Sequence, residues 1–132
     1  MLTLGTKVDT LVQLRKLGFN VPDLVSFTFG QWRNSPREML SLIREKLGTG
    51  RRLAVRSSSA MEDGEDSSMA GCFQSVLDVD CADEESLAEA VERVAAYYGG
   101  SPRDQVIAQA MVWDIEACGV VMTRCLDDGS PY

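Results

Sequence analysis

The run from Gln105 to Val112, with VIAQAMV at its heart, is nearly continuous in apolar residues. A half-solvated strand would alternate, so an apolar run of this length belongs in the interior of a sheet. A buried strand must be paired and covered, and the other segments are read for what they can pair or pack. Leu24 to Phe29 alternates enough to be a second buried strand, and Leu53-Ala54-Val55 is a short third one. Cys72 to Val79 is a β-like run. Trp113 to Glu116 reads as a turn that returns the chain into a further strand, Ala117 to Thr123, where Gly119 marks a bulge or a close approach. Leu2 to Leu4 is a short strand or lead-in.

Three helices are predicted between these strands. Thr6 can cap the first, with Asp9 three residues on closing the capping box. Its apolar face is Val8, Leu11, Val12, Leu14 and Leu17, and Gly18 ends it as the C′ residue. Ser35-Pro36-Arg37-Glu38 opens the second with a capping serine, proline at the first position and glutamate closing the box. Met39, Leu40, Ile43 and Leu47 face the core, and Gly48 stops the helix. The third runs from about Asp83 to Tyr98, with an acidic first turn that suits the helix dipole. Leu87, Val91, Val94, Ala95 and Tyr98 form its buried face, and Gly99-Gly100 ends it. Asp127 to Pro131 is a turn signal, and Tyr132 falls where a next strand is expected. The fold class is α+β.

The 132 residues fit one domain or part of a larger one. With 45% hydrophobic and 25% charged residues the composition is that of an ordinary globular domain. A net charge of −7 argues against nucleic acid and acidic membrane surfaces as partners, and no apolar run is long enough to span a bilayer. There is no histidine, and Cys72, Cys81, Cys118 and Cys125 show no C-x-x-C spacing. Zinc sites and Ser-His or Cys-His nucleophiles are therefore not expected. Reduced thiols in a cytoplasm are the simplest reading of the cysteines.

The chemistry is concentrated between Leu53 and Gln74. A short strand delivers Arg56 and then Ser57, Ser58 and Ser59. Glu62, Asp63, Glu65 and Asp66 follow, then the small-residue turn Ser67-Ser68-Met69-Ala70-Gly71. An arginine at a strand end beside hydroxyls and flexible backbone can hold an anion, because its planar fork matches phosphate oxygens. The alternative is a solvated loop whose arginine pairs with one of its own acids. The acidic run itself reads as a solvated loop, since a metal cage needs converging ligands. Lys7 offers a second cation. In the first turn of a helix a lysine is electrostatically misplaced unless an anion shares the site; the alternative is an exposed lysine. Gly5-Thr6-Lys7 is not a Walker A loop, because the earlier glycine of that motif is absent.

Four pieces occur in a fixed order: Gly5-Thr6-Lys7 opening a helix; Val55-Arg56-Ser57-Ser58 with Glu62-Asp63; Ser68-Met69-Ala70-Gly71; and Gln109-Ala110-Met111-Val112 followed by Gly119-Val120-Val121-Met122-Thr123. That order and spacing resemble the N-terminal nucleotide-binding domain of the pyruvate phosphate dikinase and phosphoenolpyruvate synthase family, a module shared with rifampicin phosphotransferases and glucan, water dikinases. The resemblance covers Leu4 to about Pro131. It implies an ATP-grasp-like fold of which residues 1–132 form the first part, with ATP between two α+β lobes. Lys7 and Arg56 match the positions that hold the ATP phosphates, with Arg56 in the catalytic role. The turn with Ser68, Ala70 and Gly71 matches the loop that closes over them. Gln109, Met111 and Val112 match the segment at the adenine, and Thr123 matches a position on the phosphate side.

Family members split ATP and pass a phosphoryl group, through a histidine on a separate domain, to pyruvate or another acceptor. The implied cofactors are ATP and Mg²⁺, with the Mg²⁺ ligands, a second arginine, the histidine domain and the acceptor domain outside this chain. The implied partner is the rest of a full-length enzyme, and residues 1–132 alone are expected to be inactive. Departures exist: Thr6 stands where the family usually has glycine, Asp9 where a small residue is common, Met122 for phenylalanine, and Cys125-Leu126 for Asn-Pro. They leave open a second function, a non-catalytic nucleotide- or partner-binding module of the same fold. The cleft face should also expose apolar surface and favour self-association.

Overall fold

A computed structural model of the chain describes residues 5–59, 75–97, 101–125 and 129–131. The element order is α1 (Lys7–Lys16), β1 (Leu24–Thr28), α2 (Phe29–Asn34), α3 (Pro36–Leu47), β2 (Arg52–Ser58), β3 (Ser75–Asp80), α4 (Glu84–Tyr97) and β4 (Gln105–Ala110). The four strands form one antiparallel sheet in the order β1-β4-β2-β3. The class is α+β. β4, the run that reads as buried, is an inner strand, and Val106, Ile107, Ala108 and Gln109 are all buried. Its ladder ends at Ala110, two residues short of the expected Val112.

Alternation along the strands divides the sheet into two faces. Val25 and Phe27 on β1, Val106 and Ala108 on β4, Leu53 and Val55 on β2, and Val79 on β3 belong to one buried cluster. The same cluster contains Trp32 of α2, Leu40, Ile43 and Leu47 of α3, and Leu87, Ala90, Val91 and Val94 of α4. Three helices therefore cover this face, and each buried Leu or Ile contributes about 1.5–3 kcal/mol by leaving water. Trp32 stacks on Phe27 with ring centroids 6.2 Å apart. Its indole N–H donates to Glu92 Oε1 at 2.8 Å, which ties α2 to α4.

The helix ends test the capping expectations one by one. Thr6 and Asp9 form the capping box of α1, and Gly18, at φ 87°, follows the C-cap Leu17. Ser35 behaves differently. It is the N-cap of α3 but makes no side-chain cap bond, so the box with Glu38 is not formed. Ser35 also ends α2, and its N–H is already given to the Gln31 carbonyl at 2.9 Å. Helix α2 itself is unexpected from the sequence, which extends the strand to Phe29. Thr28 caps it, with Gln31 closing the box, so Phe29 opens a helix instead of ending a strand.

The apolar face of α1 is only partly used. Val8 is buried, whereas Val12 and Leu17 are exposed. The last expected strand, Ala117 to Thr123, is absent. A strand needs a ladder partner, and no described residue pairs with this segment; Val120 and Val121 are 80% and 91% exposed. The turn before Pro131 is present: Arg124 bridges Pro131, and the Cys125 N–H donates to the Ser130 carbonyl at 2.8 Å. The expectations at Leu2 to Leu4, Cys72 to Gln74, Tyr98 to Gly100 and Asp127-Asp128 lie outside the described residues.

Cys81 lies fully buried in the helix-side core, and burial pushes its thiol up from the ordinary value. Cys118 is exposed. Alkylation of the native chain with iodoacetamide is expected to modify Cys118 and spare Cys81 until the chain unfolds. Peptide mapping that finds both labelled at one rate would overturn this placement.

Candidate functional site

The second face of the sheet carries the residues that the sequence singles out. β2 turns Arg52, Ala54, Arg56 and Ser58 toward it, and β4 turns Gln105, Ile107 and Gln109. Arg56 lies opposite Ile107 on β4 and opposite Ser75 on β3. Ile107 is fully buried and Val8 nearly so, yet neither belongs to the helix-side cluster. Ile107 faces the opposite side of the sheet from that core, the side on which α1 meets Ser58.

One bond places α1. The backbone N–H of Val8 donates to Ser58 Oγ at 3.3 Å, across fifty residues of sequence. The N–H is one of the four that a helix leaves unpaired at its start, so the hydroxyl satisfies an orphan donor. Lys7, half-buried, occupies the same turn. Ser58 and Arg56 are two residues apart on one face, so the first turn of α1 and Arg56 share a neighbourhood. The structure brings these two sequence-predicted positions together.

Two details differ from the sequence reading. Arg56 is not at a strand end, because β2 continues to Ser58. Ser57, Ser58 and Ser59 are buried rather than part of an exposed hydroxyl loop. The cause is β4, which extends the ladder through the Ser57–Val106 and Ser58–Gln105 pairs. Arg56 is partly exposed and makes no hydrogen bond or ion pair with any described residue. The side-chain amide oxygen of Gln105, beside Ser58, is buried without a partner among the described residues.

At the other end of β4 the chain leaves the sheet at Met111. Its N–H donates to the Arg52 carbonyl at 3.0 Å, and its Sδ accepts from the Asp78 N–H at 3.1 Å. Gln109 is buried, with its side-chain amide donating to the Pro22 carbonyl at 3.4 Å. Met111 and Val112 line an open cleft of about 480 Å³ with Asn20 to Asp23, Arg51 and Ala110. Asp23 bridges Arg15 at 3.2 Å and Arg51 at 2.9 Å, and Arg15 also donates to the Val21 and Pro22 carbonyls. These exposed pairs add little stability but hold the cleft wall in one shape.

Arg52 donates through Nε to Asp78 Oδ1 at 2.7 Å. That bond holds the Asp78 carboxyl below its ordinary value and raises Arg52 above its own. A depressed carboxyl favours the folded state above its unfolded value. The pair therefore persists at neutral pH and is lost only as the pH falls through Asp78's lowered value.

Not every predicted position converges. Thr123 is exposed in the segment that forms no strand, and no hydrogen bond among the described residues ties 112–123 to the sheet. Val112, Trp113, Ile115, Val120, Val121 and Met122 are all exposed there. Ser68, Ala70 and Gly71 lie outside the described residues, as does the acidic run. Among the described residues no cluster of three or more Cys, Asp or Glu could hold a metal ion, and no helix is long and apolar enough to cross a membrane. Sequence reasoning missed the structural parts of Ser58 and Asp78. The only prior signal for Asp78 is that Asp tolerates left-handed backbone.

No curated protein and no solved structure matches the chain. The family model for the AMP/ATP-binding domain of pyruvate phosphate dikinase does, over residues 4–100, a span that includes α1, the Arg56 strand and all three helices of the packed layer. With that match over most of its length, the chain belongs to the pyruvate phosphate dikinase AMP/ATP-binding domain family.

Proposed function

We propose that the second face of the sheet is one wall of an ATP-grasp-type nucleotide cleft, and that residues 1–132 supply the first part of it. Family membership supports this reading, and the observation that carries it is the Val8–Ser58 bond, which sets the first turn of α1 beside Arg56. The phosphates lie at this end. Arg56 offers them a planar fork not spent on a described residue, and Lys7 adds a point charge. The base lies at the Met111 end, about 13 Å further along β4 from the residue opposite Arg56. The Met111 N–H is already given to Arg52 and the Gln109 amide to Pro22. That leaves the Met111 carbonyl and the Val112 backbone for the edge of the base. Ser68, Ala70, Gly71 and Thr123 keep the phosphate-side roles that the family resemblance implies for them.

Phosphoryl transfer needs positioning and charge neutralisation more than covalent assistance, and these side chains are suited to both. Mg²⁺ would supply further neutralisation of the phosphates. Its ligands are those the family resemblance assigns to other parts of a full-length enzyme. In that enzyme, a cytoplasmic phosphotransferase, the phosphoryl group passes through a histidine to pyruvate or another acceptor.

Calorimetric titration of the chain with Mg-ATP, beside an Arg56→Ala variant, tests the assignment. The variant is expected to bind at least roughly tenfold more weakly, on the order of 1.5–3 kcal/mol for a charge-assisted contact. Equal affinity for both chains would remove Arg56 from the phosphate site.

A further inference from the structure

The β2–β3 ladder contains one irregularity. Leu53 pairs with Val79 and Val55 with Val76, so Leu77 and Asp78 together stand opposite Ala54. This is a bulge, and Asp78 sits in it at φ 59°, in the left-handed region that costs most side chains and is tolerated by Asp. Arg52 grips the bulge twice. Its Nε donates to the Asp78 carboxylate and its Nη2 to the Asp78 carbonyl, while Nη1 lies 3.4 Å from Asp80. With the residue held in that conformation, the Asp78 N–H points at Met111 Sδ, and the Arg52 carbonyl holds the Met111 N–H. Met111 is thus fixed at backbone and thioether by the two residues of one clamp. A methionine has three rotatable bonds and would otherwise be free at the lip of the cleft.

We propose that the Arg52–Asp78 bulge is a positioning device that presents the Met111 thioether to the base, and so sets the preference for a nucleotide over bare polyphosphate. This rests on the reading that the base lies at Met111. Arg52 and Asp78 are positioning residues; neither contacts the phosphates. A sulfur held against an aromatic ring gives a modest contact, so the effect is selective and not large.

The test uses the whole chain labelled with ¹³C-methyl methionine, with the Met111 signal assigned through Met111→Leu. Without nucleotide, Arg52→Ala and Asp78→Gly are expected to move the Met111 methyl signal toward that of a solvent-averaged methionine. Asp78→Gly adopts the left-handed conformation without steric cost, which keeps the fold while losing the carboxylate. Asp78→Asn, which keeps an acceptor and tolerates the same backbone, is expected to restore most of the original signal. In titrations with Mg-ATP and with tripolyphosphate, both clamp variants should lose roughly two- to tenfold of their preference for ATP at unchanged tripolyphosphate affinity. A Met111 signal that stays put in both variants overturns the positioning. A signal that moves with the ATP preference intact overturns the link to the base. If the unaltered chain binds ATP no better than tripolyphosphate, the base reading itself falls, and the nucleotide-free signal still decides whether the clamp holds Met111.

Discussion

Ile107→Ala is expected to destabilise the chain by about 2–5 kcal/mol, the usual cost of truncating a buried isoleucine. The effect should not be spread evenly. Ile107 is fully buried on the face that α1 shares, while its strand neighbours Val106 and Ala108 point into the helix-side core. The truncation therefore opens a cavity in the thinner layer. α1 is held there by Val8 and by one 3.3 Å bond to Ser58, and much of its own apolar face is exposed. Local opening of α1 should precede global unfolding. Hydrogen exchange would show it: α1 amides are expected to lose protection well before those of β2 and β4. Uniform loss across all elements would mean that α1 is not an independent layer. Because Lys7 rides on that helix, the same variant should also weaken Mg-ATP binding.

Leu53→Ala should cost a similar amount, about 2–5 kcal/mol, by a different route. Leu53 is fully buried on β2, paired with Val79 and Ala110 and packed in the cluster contributed by α3 and α4. A domain of this size has roughly 5–15 kcal/mol in total, so the loss is a large share. Here exchange should accelerate across the whole sheet and α4, with α1 no more affected than the rest. Leu53 and Ile107 lie on opposite faces and do not pair, so the double variant should add to within about 0.5 kcal/mol. Urea denaturation of the two single variants and the double variant measures this. A coupling well above that value would mean the two faces do not pack independently.

The sequence pattern located most elements because their signals were local. The Thr6–Asp9 box, the Pro36 start and Gly48 stop of α3, the acidic start of α4 and the apolar run of β4 each lie within a few residues of one another. The misses share a cause. Thr28 can extend a strand or cap a helix, and only the Gln31 bond settles which. Ser35 is a good cap by type, but the end of α2 occupies its backbone. Ala117 to Thr123 has strand composition and no partner among the described residues. A strand's existence is a property of its neighbours.

The candidate site divides the same way. Lys7 and Arg56 lie within the span that matches the family, residues 4–100, and the family assignment follows from sequence alone; the Gln109 to Val112 segment lies beyond that span. That the first turn of α1 comes up beside the Arg56 strand could not be read, because a hydrogen bond spanning fifty residues and the register of β2 on β4 decide it. Nor could the sequence show that Met111 is gripped by Asp78, since a bulge exists only where two strands of unequal count are paired. Helix caps, apolar periodicity and motif order are short-range quantities written along the chain. Which side chains meet on one face of the sheet is set by strand order and register, and these belong to the folded chain.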